Sequence, residues 1–251
     1  MLTSIGSMQN QLPKCIVPSG NTKGDRILPA FCKSFNGQIL RKSKHKHIKD
    51  LVIFGLKNPK LFKICDNFWY IDNGYFLQSN PRSKMNGYYR IVRNSFYSSG
   101  KEAVSCDKRF NSFKVKLSSW RKGGSKIILV PPSNYLSPVI NEKDWLVKTK
   151  TEIRKYSDRP IEVSTKKKPI NWNDDIWCIV VCSSNILVDS LIRGIPVIST
   201  RFTNIGSLKE IENPPSEDSR KILYRLANLQ WNMKEIKNGL AWSMLNDSRT
   251  C

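Results

Sequence analysis

Three polar residues, Ser183, Ser184 and Asn185, directly follow the apolar run Ile179-Val-Val-Cys182. Serine and asparagine are preferred at helix N-termini, because their side chains accept hydrogen bonds from the first backbone N–H groups. The positive end of such a helix, with hydroxyls beside it, suits an anion such as a diphosphate. Asp189 lies one turn further along the same expected helix, where its carboxylate could bind a ribose. The alternative is that the serines only cap the helix.

Within the apolar and aromatic segment at residues 68–76, the carboxylate of Asp72 comes at the end of an expected strand, directly before a turn at Asn73-Gly74. A carboxylate at the end of an apolar strand is costly unless it is used or capped. In this place it could act as a general base that takes the proton from an attacking hydroxyl. The alternative is an Asx-turn with Gly74, at an Asn-Gly turn that tolerates positive φ.

The segment Tyr88-Tyr-Arg-Ile-Val-Arg-Asn94 predicts a strand with charges interleaved among aromatic and β-branched residues. Side chains alternate along a strand, so Arg90 and Asn94 share one face and Arg93 projects from the other. Arginines here could contact phosphates, and tyrosines could stack on bases. The alternative is a solvated strand edge protected by charge. The residues expected to contact such a ligand are Tyr75, Tyr88, Tyr89, Arg90, Arg93 and Asn94.

The charge of the chain is strongly positive. Among 251 residues, 42 are Lys or Arg and 20 are Asp or Glu, which gives a net charge of +22. This excess indicates a polyanionic partner, with nucleic acid first and an anionic membrane surface second. The alternative is a compositional bias toward lysine. Two basic runs, at residues 41–49 and 165–168, could track phosphates, and Lys166 could reach a diphosphate.

Apolar stretches in the sequence are too short to span a bilayer, which takes about 20 residues. No segment has the pattern of a signal peptide. The seven cysteines are scattered without the spacing of a metal site. We therefore expect reduced cysteines, no structural metal, no membrane partner and a cytoplasmic location.

The pattern of elements predicts an α/β protein with two different halves, residues 1–119 and 120–251. The first half shows short extended runs rather than long helices, with strands at residues 51–55, 68–76 and 88–94. The second half alternates strand and helix, which predicts a parallel sheet with helices on both faces. Gly194 should end a helix in a left-handed cap, and the last helix should return to the first half. The elements expected in the second half are strands at residues 126–133, 159–164, 175–182 and 195–199, and helices at residues 142–156, 183–193 and within 216–245.

The run Ser183-Ser-Asn185 followed by Leu191-Ile-Arg-Gly-Ile-Pro-Val-Ile-Ser199 is similar to the donor-binding unit of GT-B glycosyltransferases. The strand ending Leu129-Val-Pro-Pro-Ser133 resembles the first strand of their nucleotide-binding domain. The resemblance implies two Rossmann-like lobes with a cleft between them. Residues 1–119 would bind the acceptor and residues 120–251 the donor, a nucleotide sugar, with UDP-sugar favoured, and no tightly bound cofactor. The donor-binding residues that it implies are Ser133, Lys166, Ser183, Ser184, Asn185 and Asp189.

The segments Trp69-Tyr-Ile-Asp-Asn-Gly-Tyr-Phe76 and Gly87-Tyr-Tyr-Arg-Ile-Val-Arg-Asn94 resemble a pattern in phage glycosyltransferases that modify DNA. That resemblance implies sugar transfer to a hydroxymethylated base in double-stranded DNA, by a monomer in the host cytoplasm. The Glu-rich signature of retaining members is missing, which favours inversion with Asp72 as the base. No Asp-x-Asp pair is present to hold a divalent ion, which favours metal-independent transfer. Two alternatives stay open: a glycosyltransferase acting on a saccharide or lipid-linked acceptor, and a non-catalytic DNA-binding protein.

Overall fold

The computed structural model describes residues 12–16, 23–40, 47–76, 87–97, 106–201 and 205–246, and the structural statements below refer to these residues. They form a mixed α/β fold with two sheets, one mixed and one parallel. The strands are β1 (Lys14–Ile16), β2 (Gln38–Leu40), β3 (Ile48–Phe54), β4 (Cys65–Asn73), β5 (Tyr88–Arg93), β6 (Lys126–Val130), β7 (Ile161–Val163), β8 (Ile176–Val181), β9 (Val197–Ser199) and β10 (Gln230–Asn232). The α-helices are α1 (Gly24–Lys33), α2 (Lys108–Ser112), α3 (Trp145–Ile153), α4 (Ile186–Ile192), α5 (Lys221–Ala227), α6 (Met233–Lys237) and α7 (Leu240–Asn246).

The first sheet has six strands in the order β10-β5-β4-β3-β1-β2. Strands β1 to β4 run parallel, whereas β5 is antiparallel to both β4 and β10. The pairing of β4 with β5 places Asp72 directly opposite Arg90. This register brings a predicted base and a predicted ligand-contacting residue together on neighbouring strands.

The second sheet is fully parallel, in the order β7-β6-β8-β9. Strands β6, β8 and β9 are largely buried on both faces, as expected when helices cover a parallel sheet, whereas the edge strand β7 is half-buried. Strands β7 and β8 lie on opposite sides of β6, so the topology switches between β6 and β8. In open α/β sheets, ligands bind outside the carboxyl ends of the strands at such a point. The alternation of strand and helix predicted for this half is confirmed.

Helix α1, of 10 residues, is a feature of the first half that the sequence analysis missed, since short extended runs rather than long helices were expected there. Pro29 lies inside this helix, where it removes one backbone hydrogen bond. Its buried face carries Ile27, Leu28 and Phe31. The burial of these side chains against β1 and β3 outweighs the cost of the proline.

The C-terminal segment returns to the first sheet, as predicted for the last helix. Trp242 of α7 stacks on Phe35 with ring centroids 4.0 Å apart and also contacts Phe31 and Trp69. Before this helix, β10 pairs with β5. Strand β10 was not predicted, because the sequence of residues 216–245 has helical periodicity. The division of the chain into lobes at residues 119–125 stays a prediction.

The cysteines depart in part from the reduced set expected from the sequence. Five are free, whereas Cys106 is disulfide-bonded. The free cysteines are Cys15, Cys32, Cys65, Cys178 and Cys182. Within the described ranges, no helix is both long and apolar enough to cross a membrane. In the same ranges, no three His, Cys, Asp or Glu side chains cluster as metal ligands would. Most of the basic run at residues 41–49 lies outside the described residues.

Candidate functional site

The Asp72 carboxylate lies at the end of β4 and accepts hydrogen bonds on both oxygens. Its Oδ2 accepts one from the Tyr70 hydroxyl at 2.7 Å and one from Nη2 of Arg90 at 3.3 Å. Its Oδ1 accepts one from the backbone N–H of Asn73 at 2.8 Å. The side chain is 28% exposed, so a hydroxyl from outside can reach it. The carboxylate is therefore oriented by its neighbours and still accessible.

Gly74 follows this carboxylate, and its geometry differs from the one expected of an Asn-Gly turn. Its N–H donates to the Tyr88 carbonyl at 2.8 Å, so it does not form the Asx-turn with Asp72. Its φ is not positive. A Cβ at this position would lie 2.7 Å from Oε1 of Gln230, and this close approach is what requires glycine.

Arg90 lies directly opposite Asp72 on the neighbouring strand β5, and its side chain is only 11% exposed. Its Nη1 donates to Oδ1 of Asn185 at 3.0 Å, while its Nη2 donates to Asp72. Burial is the largest single effect and opposes the charge, but the Asp72 carboxylate and the neighbouring tyrosines together outweigh it, so the pKa of Arg90 is raised. The guanidinium lies 5.8, 5.5 and 5.1 Å from the ring centroids of Tyr70, Tyr75 and Tyr97, respectively.

Tyr70 is a contributor to the site that the sequence analysis missed, although a signal was present. Side chains two residues apart share a strand face, so Tyr70 had to lie beside Asp72. Burial raises the pKa of Tyr70, and the neighbouring Asp72 carboxylate raises it further. The hydroxyl therefore stays protonated and donates a hydrogen bond to the carboxylate.

Asn185 precedes α4 but does not cap it. Its side chain points to the first sheet, where Oδ1 accepts from Arg90 and Nδ2 donates to the Gly74 carbonyl at 3.0 Å. Ser184 takes the capping role instead, because its Oγ accepts a hydrogen bond from the Ile186 N–H at 3.2 Å. A chain of hydrogen bonds therefore runs from Asp72 through Arg90 and Asn185 to the backbone of Gly74.

The other predicted donor residues follow the strands of the second sheet at its carboxyl edge. Residues Val130 and Val181 are paired at the ends of β6 and β8, so the loops that follow these strands are neighbours. Ser133 follows β6, is exposed, and its Oγ accepts from the Leu136 N–H at 3.2 Å. Lys166 follows β7 and is exposed, and Asp189 is exposed on α4. The positions at the switch between β6 and β8 are thus Ser133 and the segment Ser183–Asn185.

The residues predicted to contact an anionic ligand are divided between core and surface. Tyr75 and Tyr89 are 3% and 0% exposed, respectively, and belong to the core. Tyr88 is half-buried and packs edge-on against Phe113, with ring centroids 4.9 Å apart. Arg93 is 56% exposed and lies over the ring of Trp69. Among the predicted strand residues, Arg93 therefore presents the most accessible charge.

Asn94 directly follows β5 and adopts the left-handed conformation, with φ of 50°. Its Oδ1 accepts from the Phe68 N–H at 2.8 Å, and its Nδ2 donates to Asn67 at 2.8 Å. These bonds close the ladder between β4 and β5.

Gln230 of β10 is a second residue that the sequence analysis missed. It is fully buried, and its Oε1 accepts from the N–H groups of Tyr75 and Phe76 at 2.7 and 2.9 Å. It fixes the backbone that continues from Asp72. No pattern in the sequence singles out this residue, because its contacts lie on segments more than 150 residues away.

Comparisons with known proteins give structural neighbours but no family. No family model matches the chain, and no curated protein matches it. One solved structure, of Thermosulfurimonas dismutans KpsC, beta Kdo 2,7 transferase, has a TM-score of 0.50 and 13% identity over 91% of this chain and 98% of that one. Another, of T. dismutans KpsC, beta Kdo 2,4 transferase, has a TM-score of 0.50 and 10% identity over 92% and 98%. The chain shares an α/β fold with these transferases. The resemblance to phage DNA glycosyltransferases gains no support from them.

Proposed function

We propose that this protein is a glycosyltransferase that moves a sugar from a nucleotide-sugar donor to an acceptor hydroxyl. The observation that carries the proposal is the hydrogen-bonded chain from Asp72 to Asn185, which joins a partly exposed carboxylate to the start of α4. That start lies at the topological switch of a parallel sheet, where α/β folds bind ligands. The fold likeness to two structures described as Kdo transferases supports the same class of reaction.

The donor would bind over the carboxyl edge of the second sheet, with a UDP-sugar as the favoured nucleotide sugar. Ser133, Ser183 and Ser184 would offer hydroxyls to the diphosphate, while Asn185 directly precedes α4 and Asp189 lies in its first turn. Lys166 supplies a positive charge that can neutralise the leaving diphosphate, without the divalent ion of an Asp-x-Asp site. Hydrogen-bond donors and positive charges that point to the developing charge of the leaving diphosphate lower the activation free energy of sugar transfer.

Asp72 would act as the general base of an inverting transfer. Its carboxylate takes the proton of the acceptor hydroxyl while that oxygen attacks the anomeric carbon and the bond to the diphosphate breaks. A carboxylate oxygen can accept more than one hydrogen bond. Oδ1 accepts one from the Asn73 N–H and so retains capacity for an incoming hydroxyl.

The acceptor that we favour is a saccharide, because the structural neighbours are described as Kdo transferases. Hydroxymethylated DNA is the second candidate, and the net charge of +22 favours it. DNA binding of this kind weakens steeply with salt, because phosphate contacts release counterions. The alternative of a non-catalytic DNA-binding protein predicts salt-dependent binding without turnover.

The proposal is tested by incubating the purified protein with a panel of nucleotide sugars and three acceptors: oligosaccharides, hydroxymethylated duplex DNA and unmodified duplex DNA. Products are read by mass spectrometry, and release of the nucleotide is followed in parallel. Acceptor-dependent gain of one sugar mass supports the proposal, and the acceptor that gains it decides between the two candidates. Salt-dependent DNA binding with no transfer to any acceptor would instead identify a binding protein.

A further inference from the structure

Arg90 is a buried charge held between segments that belong to different sheets. One side of its guanidinium contacts Asp72 at the end of β4, and the other contacts Asn185 at the start of α4. Asn185 is 95 residues away in the sequence, and its side chain also binds the Gly74 carbonyl. This arrangement differs from that of a surface arginine, which would keep its donors free for a phosphate.

The geometry depends on the forked shape of arginine. A guanidinium presents donors in fixed directions and can bind two acceptors at once, whereas the ammonium of lysine is a single point charge. In Arg90 the two terminal nitrogens each take one partner, and the buried Nε finds no hydrogen-bond partner in the described part of the chain. The rings of Tyr70 and Tyr97 surround the group and limit its movement. A lysine here would have one nitrogen in place of the two terminal nitrogens and would not hold Asp72 and Asn185 in the two fixed directions that the guanidinium sets.

We infer that Arg90 is a positioning residue that holds the Asp72 carboxylate and the loop before α4 in one fixed relation. The inference rests on the proposed function, in which Asp72 is the base and the loop contacts the donor. It changes the role expected for Arg90 from the sequence, which was contact with acceptor phosphates. A shift of about 1 Å between reacting groups can lower a rate by about 10²-fold. Binding of donor and acceptor depends less on that relation than turnover does.

The kinetic test replaces Arg90 with lysine and compares kcat with the KM of each substrate. We expect Arg90→Lys to lower kcat by about 10²-fold while the acceptor KM stays within about threefold. The matched control is Arg159→Lys, at the amino edge of the second sheet. Arg159 is also a forked arginine, bound to Glu212 at 2.9 Å and to the Gly124 carbonyl at 2.7 Å, and stacked on Trp177. Loss of this fork should lower the Tm and leave kcat unchanged.

A second test needs no enzymatic activity. Within the described residues no hydrogen bond joins Asp72 and Asn185 directly. They are linked through Arg90, which binds both side chains, and through the Gly74 carbonyl, which accepts from Asn185 two residues beyond Asp72. The stability losses of Asp72→Asn and Asn185→Ala, measured by urea unfolding, should therefore be non-additive in the double variant. In an Arg90→Lys background the coupling energy between the same two losses should fall, and the part that remains measures the contact of Asn185 with Gly74. The double-mutant cycle of Asp72→Asn and Asn185→Ala in the wild-type background can be measured even if Arg90→Lys does not fold.

The outcomes separate this inference from the proposed function. If the wild-type protein transfers no sugar, the proposed function fails. The double-variant stability measurements alone then test the bridge, that is, the link that Arg90 forms between Asp72 and Asn185. Additive losses in the wild-type background overturn the bridge whatever the activity is. If the protein is active, an unchanged kcat in Arg90→Lys overturns the positioning role. A raised acceptor KM at constant kcat also overturns it and returns Arg90 to direct acceptor binding.

Discussion

Replacement of Asp72 by asparagine separates the chemistry of this carboxylate from its shape. Asparagine has nearly the same size and can still accept a hydrogen bond from Tyr70 or Asn73, but it cannot take a proton. Loss of a general base lowers a rate by about 10²–10⁴-fold, or about 3–5 kcal/mol of activation free energy. We therefore expect Asp72→Asn to lose transfer by that factor while donor affinity survives.

The structure also predicts a loss of stability in Asp72→Asn, because Arg90 loses its counter-charge. Breaking a fully buried ion pair costs about 3–5 kcal/mol, and an exposed pair is worth at most about 1 kcal/mol. The Asp72 side chain is 28% exposed and that of Arg90 is 11% exposed, so solvent screens part of the interaction. We expect a cost of about 1–3 kcal/mol, which corresponds to a Tm decrease of about 2–12 °C for a chain of this size.

The assay is single-turnover transfer at a temperature well below both Tm values, beside calorimetric donor binding. The matched control is Asp174→Asn, which removes a carboxylate of similar exposure, 30%, from its pair with Lys126 at 2.7 Å. That pair lies at the amino edge of the second sheet, opposite the carboxyl edge where the donor is proposed to bind. Its loss should therefore leave the single-turnover rate unchanged. Near-normal transfer by folded Asp72→Asn would refute the reasoning.

Further substitutions test the packing and the donor loop. Gly194 has φ of +72° and a Cβ there would lie 2.0 Å from a carbonyl oxygen, so Gly194→Ala should cost more than about 1 kcal/mol in thermal unfolding. Gly123→Ala, with no atom within 4 Å of the added Cβ, should leave the Tm nearly unchanged, and equal effects would contradict this difference. Trp242→Ala should cost about 2–4 kcal/mol in urea unfolding, because α7 loses its aromatic contacts with the first sheet, and a cost near zero would contradict that packing. Ser184→Ala should weaken donor binding by about 2–10-fold in calorimetry, the worth of one hydrogen bond. Unchanged affinity would show that its hydroxyl only caps α4.

The second sheet was predictable from the sequence because its signals are local. Apolar runs of strand length gave β6, β8 and β9, and two prolines after Val130 ended the first of them. Gly194 adopts the positive φ that the sequence predicted for a helix end. Parallel strands in alternation with helices leave few possible topologies. The order of the strands then placed Ser133 and Ser184 at one edge.

The features that the sequence did not predict depend on distant contacts. Helix α1 contains Pro29, a residue that argues against a helix when it is considered locally. Strand β10 has three residues and a fully buried glutamine, and only its pairing with β5 makes it a strand. The bridge through Arg90 links strand β5 to a loop 95 residues away. Alternation along β5 indicated the face of Arg90, but no local pattern indicates its partner in the other sheet.

The most direct test of the proposed transfer is its stoichiometry. Nucleotide released from the donor and sugar gained by the acceptor are measured in the same reaction, by chromatography and mass spectrometry, for the wild-type protein and Asp72→Asn. We predict one nucleotide released for each sugar gained by a saccharide acceptor, with both signals lost together in Asp72→Asn. Nucleotide release that is independent of acceptor, or no release with any donor, would contradict glycosyl transfer at this site.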